Sequence, residues 1–127
     1  FYTEKVLYLS NSSIPYDDTK KISKNKFNRE ELGLPSDGFV FTCFNNITKI
    51  TPNEFKIWMN LLQKVEKSVL WIVKPKDSAI KNILSDVKSH GIDKERIIFA
   101  ERMEINDHLC RHTCGDLFLD TFNFNLE

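Results

Sequence analysis

The sequence predicts an α/β fold built on a parallel sheet. Three observations carry that prediction. Short β-prone runs recur along the chain at 39–44, 69–73, 97–100 and 117–119. The runs are apolar throughout rather than alternating, as strands covered on both faces require. Helical patterns separate them, and strand–helix alternation gives βαβ units with right-handed crossovers. The length of 127 residues suits one domain or part of one. A hydrophobic content of 41%, with ten Phe and two Trp, supplies a core and excludes a disordered chain.

Residues 1–31 differ from the rest. They hold a short apolar stretch, Val6-Leu7-Tyr8-Leu9, and turn residues from Asn11 to Pro15 and at Asp17-Asp18. Lys20, Lys21, Lys24, Lys26 and Arg29 follow. They read as a solvated linker, or alternatively as an anion-binding strip.

Regular structure begins after Leu34. Pro35-Ser36-Asp37-Gly38 forms a turn into the first strand, Phe39 to Phe44. Thr51-Pro52-Asn53-Glu54 is a helix start: a capping Thr, a Pro suited to the first turn, and a Glu that completes a capping box. Phe55, Trp58, Leu62 and Val65, with Met59 and Leu61 beside them, mark the apolar face of about four helical turns. Val69 to Val73 is the second strand. Asp77-Ser78 caps a second helix bearing Ile80, Ile83, Leu84 and Val87, and His90-Gly91 closes it. Ile97 to Ala100 is the third strand. A short helix from about Glu104 to Thr113 places Ile105, Leu109 and His112 on one side. Leu117 to Leu119 is the fourth strand.

The charge balance excludes some functions. Eighteen basic and eighteen acidic side chains cancel, so no broad basic field for nucleic acid exists. No apolar run reaches the ~18 residues of a membrane span. Cys43, Cys110 and Cys114 are odd in number and lack a CxxC spacing, which reads as buried reduced thiols in a cytoplasmic protein. The chain opens at Phe1, and we expect a fragment of a longer protein, with Leu126-Glu127 resembling a vector scar.

In open parallel sheets, ligands bind beyond the carboxyl ends of the strands. The first such loop holds Asn45, Asn46 and Lys49 just ahead of the Thr51-Pro52 helix start. Lys49 beside a helix N-terminus suits phosphate, and the asparagines can donate to phosphate or sugar oxygens. Alternatively, Lys49 is solvated and the asparagines only build the turn. Gly33, Gly38, Gly91 and Gly115 form neither GxGxxG nor a Walker pattern, which argues against a dinucleotide oxidoreductase or a P-loop enzyme. His108 and Arg111 are three apart and share a helix face, where they either pack on a nucleobase or form a surface pair. His108 and His112 have a zinc-compatible spacing but no HExxH, so no metal is expected. Asp120 reads as a strand-end turn residue.

Taken in order, six segments resemble one family. They are Tyr2 to Lys5, Leu32 to Pro35, Phe41 to Ile50, Ser68 to Trp71, Arg96 to Phe99 and Asp116 to Thr121. They are similar to the catalytic region of the O-linked N-acetylglucosamine (O-GlcNAc) transferases, glycosyltransferase family 41, of the bacterial TPR-containing type. The resemblance implies a GT-B enzyme with two Rossmann-like lobes. Residues 1–31 would end the acceptor-side lobe and the linker between lobes, and 32–125 would form the first half of the UDP-sugar lobe. The implied reaction is inverting transfer of N-acetylglucosamine from UDP-GlcNAc to protein Ser or Thr, without a metal or other cofactor. It implies that Lys49 contacts the donor diphosphate and stabilises the leaving UDP, that Asn46 contacts the donor, and that His108 and Arg111 hold the uracil.

The sequence departs from the family pattern at Ser10-Asn11, where Pro-His is usual, and after Thr121, where the phosphate-gripping His-Thr-Thr stretch would follow. We therefore expect the isolated chain to be inactive and to self-associate through an exposed last strand. Two other readings stay open: a non-catalytic Rossmann-like interaction module, and a GT-B enzyme acting on another sugar or a small acceptor.

Overall fold

A computed structural model describes residues 3–5, 8 and 17–123. The apolar stretch before Ser10, the turn at 11–15 and the Leu126-Glu127 pair lie outside the described residues, apart from Tyr8.

Four strands form one parallel sheet: β1 (Val40–Cys43), β2 (Val69–Val73), β3 (Ile97–Ala100) and β4 (Leu117–Phe118). Their order is β3-β2-β1-β4. Val40 pairs with Val69, Leu70 with Ile97 and Phe41 with Leu117. Three helices connect them: α1 (Pro52–Lys64), α2 (Asp77–Ser89) and α3 (Ile105–Arg111). The chain builds outward from β1 through β2 to β3, then returns across to place β4 on the other side. That reversal falls between β1 and β4, and open α/β sheets bind ligands at the carboxyl ends of the strands beside such a reversal.

The continuous apolar strands are explained by two cores. Phe41, Cys43, Leu70 and Ile72 face Phe55, Trp58, Met59 and Leu62 of α1 and Val87 of α2. Val40, Val69 and Trp71 point the other way, toward Leu34, Cys114 and the partly buried Phe27 and Phe44. Each fully buried side chain of this size contributes about 1.5–3 kcal/mol. The two faces together, rather than intrinsic propensity, hold strands this short.

The α1 helix starts as predicted. Thr51 Oγ1 accepts from Glu54 N at 3.3 Å and Glu54 Oε2 accepts from Thr51 N at 2.6 Å. Its far end is tied to β3 by Arg96, which donates to the carbonyls of Leu62, Val65 and Ser68. Leu62 O lies in the last turn of α1, where carbonyls lack a helical partner, and the guanidinium also suits the negative end of the helix dipole.

Three details differ from the sequence expectation. Lys76, not Asp77, is the residue before α2, and no side chain caps that helix. Ile105 is 49% exposed, so the buried face of the third helical segment is formed by Cys110, Arg111 and Cys114 instead. The basic segment is not wholly solvated. Ser23 N donates to Asn106 O, Cys110 Sγ to Asn25 O, and Arg29 to Cys114 O, Gly38 O and Asp116, so residues 23–29 lie strapped across α3.

Candidate functional site

The β1–α1 connection begins at Phe44 and turns through a short helical segment, Ile47–Lys49. Asn46 caps that turn, its side-chain oxygen accepting from Thr48 N and Thr48 Oγ1, both at 3.1 Å. The Asn46 side chain is exposed, and Lys49 closes the turn half-buried, two residues ahead of the Thr51 cap. Among the described residues Lys49 makes no ion pair.

Asn45 has a different fate from Asn46. It is 5% exposed, and its amide donates to Asp120 Oδ1 at 3.0 Å and to Thr121 Oγ1 at 3.2 Å. Its donors are spent on the loop that leaves β4, so Asn45 is structural, contrary to the ligand contact that its position suggested. The mouth of α1 is also largely committed. Pro52 has no N–H, the Glu54 N–H is taken by Thr51, and the Glu54 carboxylate already sits there. The positive charge this connection offers is therefore Lys49, more than the helix dipole.

The second half of the site is an aromatic platform. Phe44 is its hub, with ring centroids 4.8 Å from Trp71, 5.1 Å from His108 and 4.8 Å from His112. The Arg111 guanidinium lies 4.6 Å from the Phe44 ring centroid and 5.6 Å from that of Trp71. Arg111 is 2% exposed, and its Nη1 donates to Glu101 O at 2.6 Å. Its Nε and the Trp71 Nε1 are buried without a hydrogen-bond partner among the described residues. His108 and Arg111 are thus brought together as the three-residue spacing predicts, but around Phe44, which sequence reasoning did not single out.

Burial, then the Arg111 charge, then His112 push the His108 pKa down to about 4. Burial and Arg111 also lower that of His112. Both imidazoles are therefore neutral at physiological pH and carry one donor and one acceptor each. A neutral ring beside an aromatic hub suits an uncharged heterocycle better than an anion. Among the described residues no group of three or more His, Cys, Asp or Glu side chains is placed to hold a metal ion.

A groove runs along the carboxyl ends of β1 and β2, lined in part by Phe44, Asn46, Val73, Lys74 and Arg102. Lys74 is paired to Glu101 at 2.5 Å, which ties the β2 and β3 loops together. Neither Lys49 nor His108 lines this groove.

A four-stranded parallel sheet of this order, with helices connecting its strands, defines part of a parallel α/β lobe. A family model of "Glycosyl transferase family 41" matches residues 17–125, and the chain belongs to that family. It is 29% identical over 125 residues to the "Probable UDP-N-acetylglucosamine--peptide N-acetylglucosaminyltransferase SEC" of Arabidopsis thaliana, covering 94% of this chain and 13% of that protein. It is 32% identical over 93 residues to the UDP-N-acetylglucosamine--peptide N-acetylglucosaminyltransferase of Caenorhabditis elegans, covering 73% of this chain and 8% of that one. An O-GlcNAc transferase mutant of Thermobaculum terrenum superimposes with a TM-score of 0.66 at 20% identity, over 87% of this chain and 20% of the other, which shows the shared fold. The chain spans about a tenth of the length of these two relatives.

Proposed function

We propose that the chain forms the first half of the UDP-sugar lobe of a GT-B enzyme that transfers N-acetylglucosamine from UDP-GlcNAc to Ser or Thr of proteins, with inversion. The single observation that carries the reading is the Phe44–His108–Arg111 platform at the carboxyl end of β1, beside the strand-order reversal. The uracil packs at the His108 side of Phe44, where a neutral imidazole offers both hydrogen-bonding roles. Arg111 holds the platform and keeps Nε as an unmet donor. Asn46 contacts the donor from its exposed cap position.

Lys49 is the catalytic residue of this segment. As the bond from the sugar to the diphosphate breaks, negative charge grows on the departing UDP, and a fixed ammonium there lowers the barrier electrostatically. The reading places that charge on Lys49 rather than on a metal, so a chelator leaves transfer by the full-length enzyme unchanged. The acceptor hydroxyl and the base that activates it belong to other parts of the parent, so the chain alone binds UDP weakly and transfers nothing.

Two further expectations belong to this reading. β4 pairs with β1 on one side only among the described residues, and Leu117 on it is 50% exposed, which supports self-association of the isolated chain. Cys43, Cys110 and Cys114 are all buried and unbridged, which supports a reducing, cytoplasmic setting.

The test is Lys49→Ala in the full-length parent with UDP-GlcNAc and an acceptor peptide. The reading expects kcat to fall at least ~100-fold, as when a transition-state donor is removed. Unchanged kcat would contradict it.

A further inference from the structure

The capping box accounts for only one oxygen of Glu54. Oε2 accepts from Thr51 N at 2.6 Å, while Oε1 accepts from the backbone N–H of Phe122, in the loop that leaves β4. Glu54 is 1% exposed. A capping-box glutamate on a surface helix has no need of such burial, and a carboxylate withdrawn from water must be fully hydrogen-bonded. The second bond supplies that. Phe122 has a 71% exposed side chain, so its ring does not anchor the loop; its backbone does. Asn45 reaches the same loop from the end of β1, through Asp120 and Thr121. Two separate elements of the β1–α1 side thus grip the β4 exit loop. That loop leaves β4 beside β1, at the reversal of strand order where open α/β sheets bind ligands.

We propose that Glu54 is a positioning residue that clamps the loop formed by Asp120 to Phe122 at the spacing needed to receive the donor diphosphate. This rests on the UDP-sugar reading above and deepens it. Glu54 touches no substrate; it acts through the Phe122 backbone. On the UDP-sugar reading the diphosphate lies at Lys49, in the turn that leads directly into the Thr51–Glu54 capping box, so loss of the clamp weakens UDP more than uridine.

The test uses the chain of 127 residues, with amide exchange at Phe122 and titrations of UDP and uridine. In Glu54→Gln one acceptor becomes an NH2 donor, so either Thr51 or Phe122 faces a donor in place of an acceptor. The expected result is a fall in Phe122 protection, an ~5- to 10-fold loss of UDP affinity, and uridine affinity within about twofold, as losing one charge-assisted hydrogen bond implies. Thr51→Ala removes the other half of the capping box but leaves the clamp, so Phe122 protection and UDP affinity stay within about twofold of the unmodified chain.

Phe122→Pro removes the same bond from the loop side. It reproduces the effect on UDP if Glu54→Gln fails to fold. Unchanged Phe122 exchange in Glu54→Gln overturns the proposal, as does an equal loss of UDP and uridine. If the unmodified chain binds neither ligand, the donor reading fails. The clamp is then judged separately, by whether Glu54→Gln and Thr51→Ala differ in Phe122 exchange.

Discussion

Arg111 lays its guanidinium on the ring of Phe44, 4.6 Å from the centroid, while donating through Nη1 to the carbonyl of Glu101. One side chain therefore fixes both the strand end that carries the aromatic hub and the loop that leads into α3. Arg111→Ala leaves the Glu101 carbonyl without this partner and a gap beneath Phe44. We expect a loss of about 2–4 kcal/mol in urea denaturation. Arg111→Lys recovers only part of it, because a point-charge ammonium cannot stack and donate sideways at once.

His108 gives the stability a defined pH dependence. Its folded pKa of about 4 lies below the ordinary histidine value, with burial as the main cause. The unfolded chain takes up the proton first, near pH ~6.5. The contribution of His108 is therefore complete above that value, is lost as pH falls toward 4, and is constant below. His112 shifts in the same direction. Imidazole NMR is expected to show His108 neutral down to about pH 4. His108→Gln is expected to flatten the pH–stability slope in that window. A His108 that titrates at its ordinary value would show that the platform is open to water.

Glu54 acts in a lower window. Burial alone would raise its pKa, but hydrogen bonds from Thr51 and Phe122 outweigh that and lower it. Its stabilisation is present above the ordinary carboxylate range and is lost as pH falls through the depressed folded value. Glu54→Gln is expected to remove that acid-limb loss while leaving the His108 window intact, which urea midpoints collected across pH will separate.

Gly38 is a backbone requirement rather than a ligand loop. Its φ is +114°, and a Cβ there would stand 2.1 Å from the carbonyl oxygen of Lys67. Gly38→Ala therefore costs about 3 kcal/mol or more, since both the dihedral and the close approach are unavailable to alanine. Thermal unfolding of the variant checks it. A shift within error would place the turn elsewhere.

Much of the architecture was legible because it is local. The Thr51–Glu54 capping box, the Val69–Val73 and Ile97–Ala100 strands and the Gly91 helix exit each carry their signal within a few residues. The site was legible only in part. Spacing placed His108 beside Arg111, but nothing near Phe44 in the sequence marks it as the ring on which both converge. Asn45 and Asn46 are adjacent and alike, yet one is buried against Asp120 and the other exposed, a difference set by contacts 75 residues away. The second hydrogen bond of Glu54, to Phe122, spans 68 residues and leaves no local trace. Sequence pattern reports periodicity and caps; which polar groups spend their bonds internally is decided by tertiary packing.

The most direct test of the nucleotide-sugar reading is a UDP titration of the 127-residue chain followed through the amide signals of Asn46, Lys49 and His108. The account predicts that all three shift together along one saturable curve, and that Lys49→Ala weakens UDP at least ~10-fold while leaving uridine nearly unchanged, as loss of a charge-assisted contact implies. Shifts confined to other surfaces, or none at saturating UDP, would contradict it.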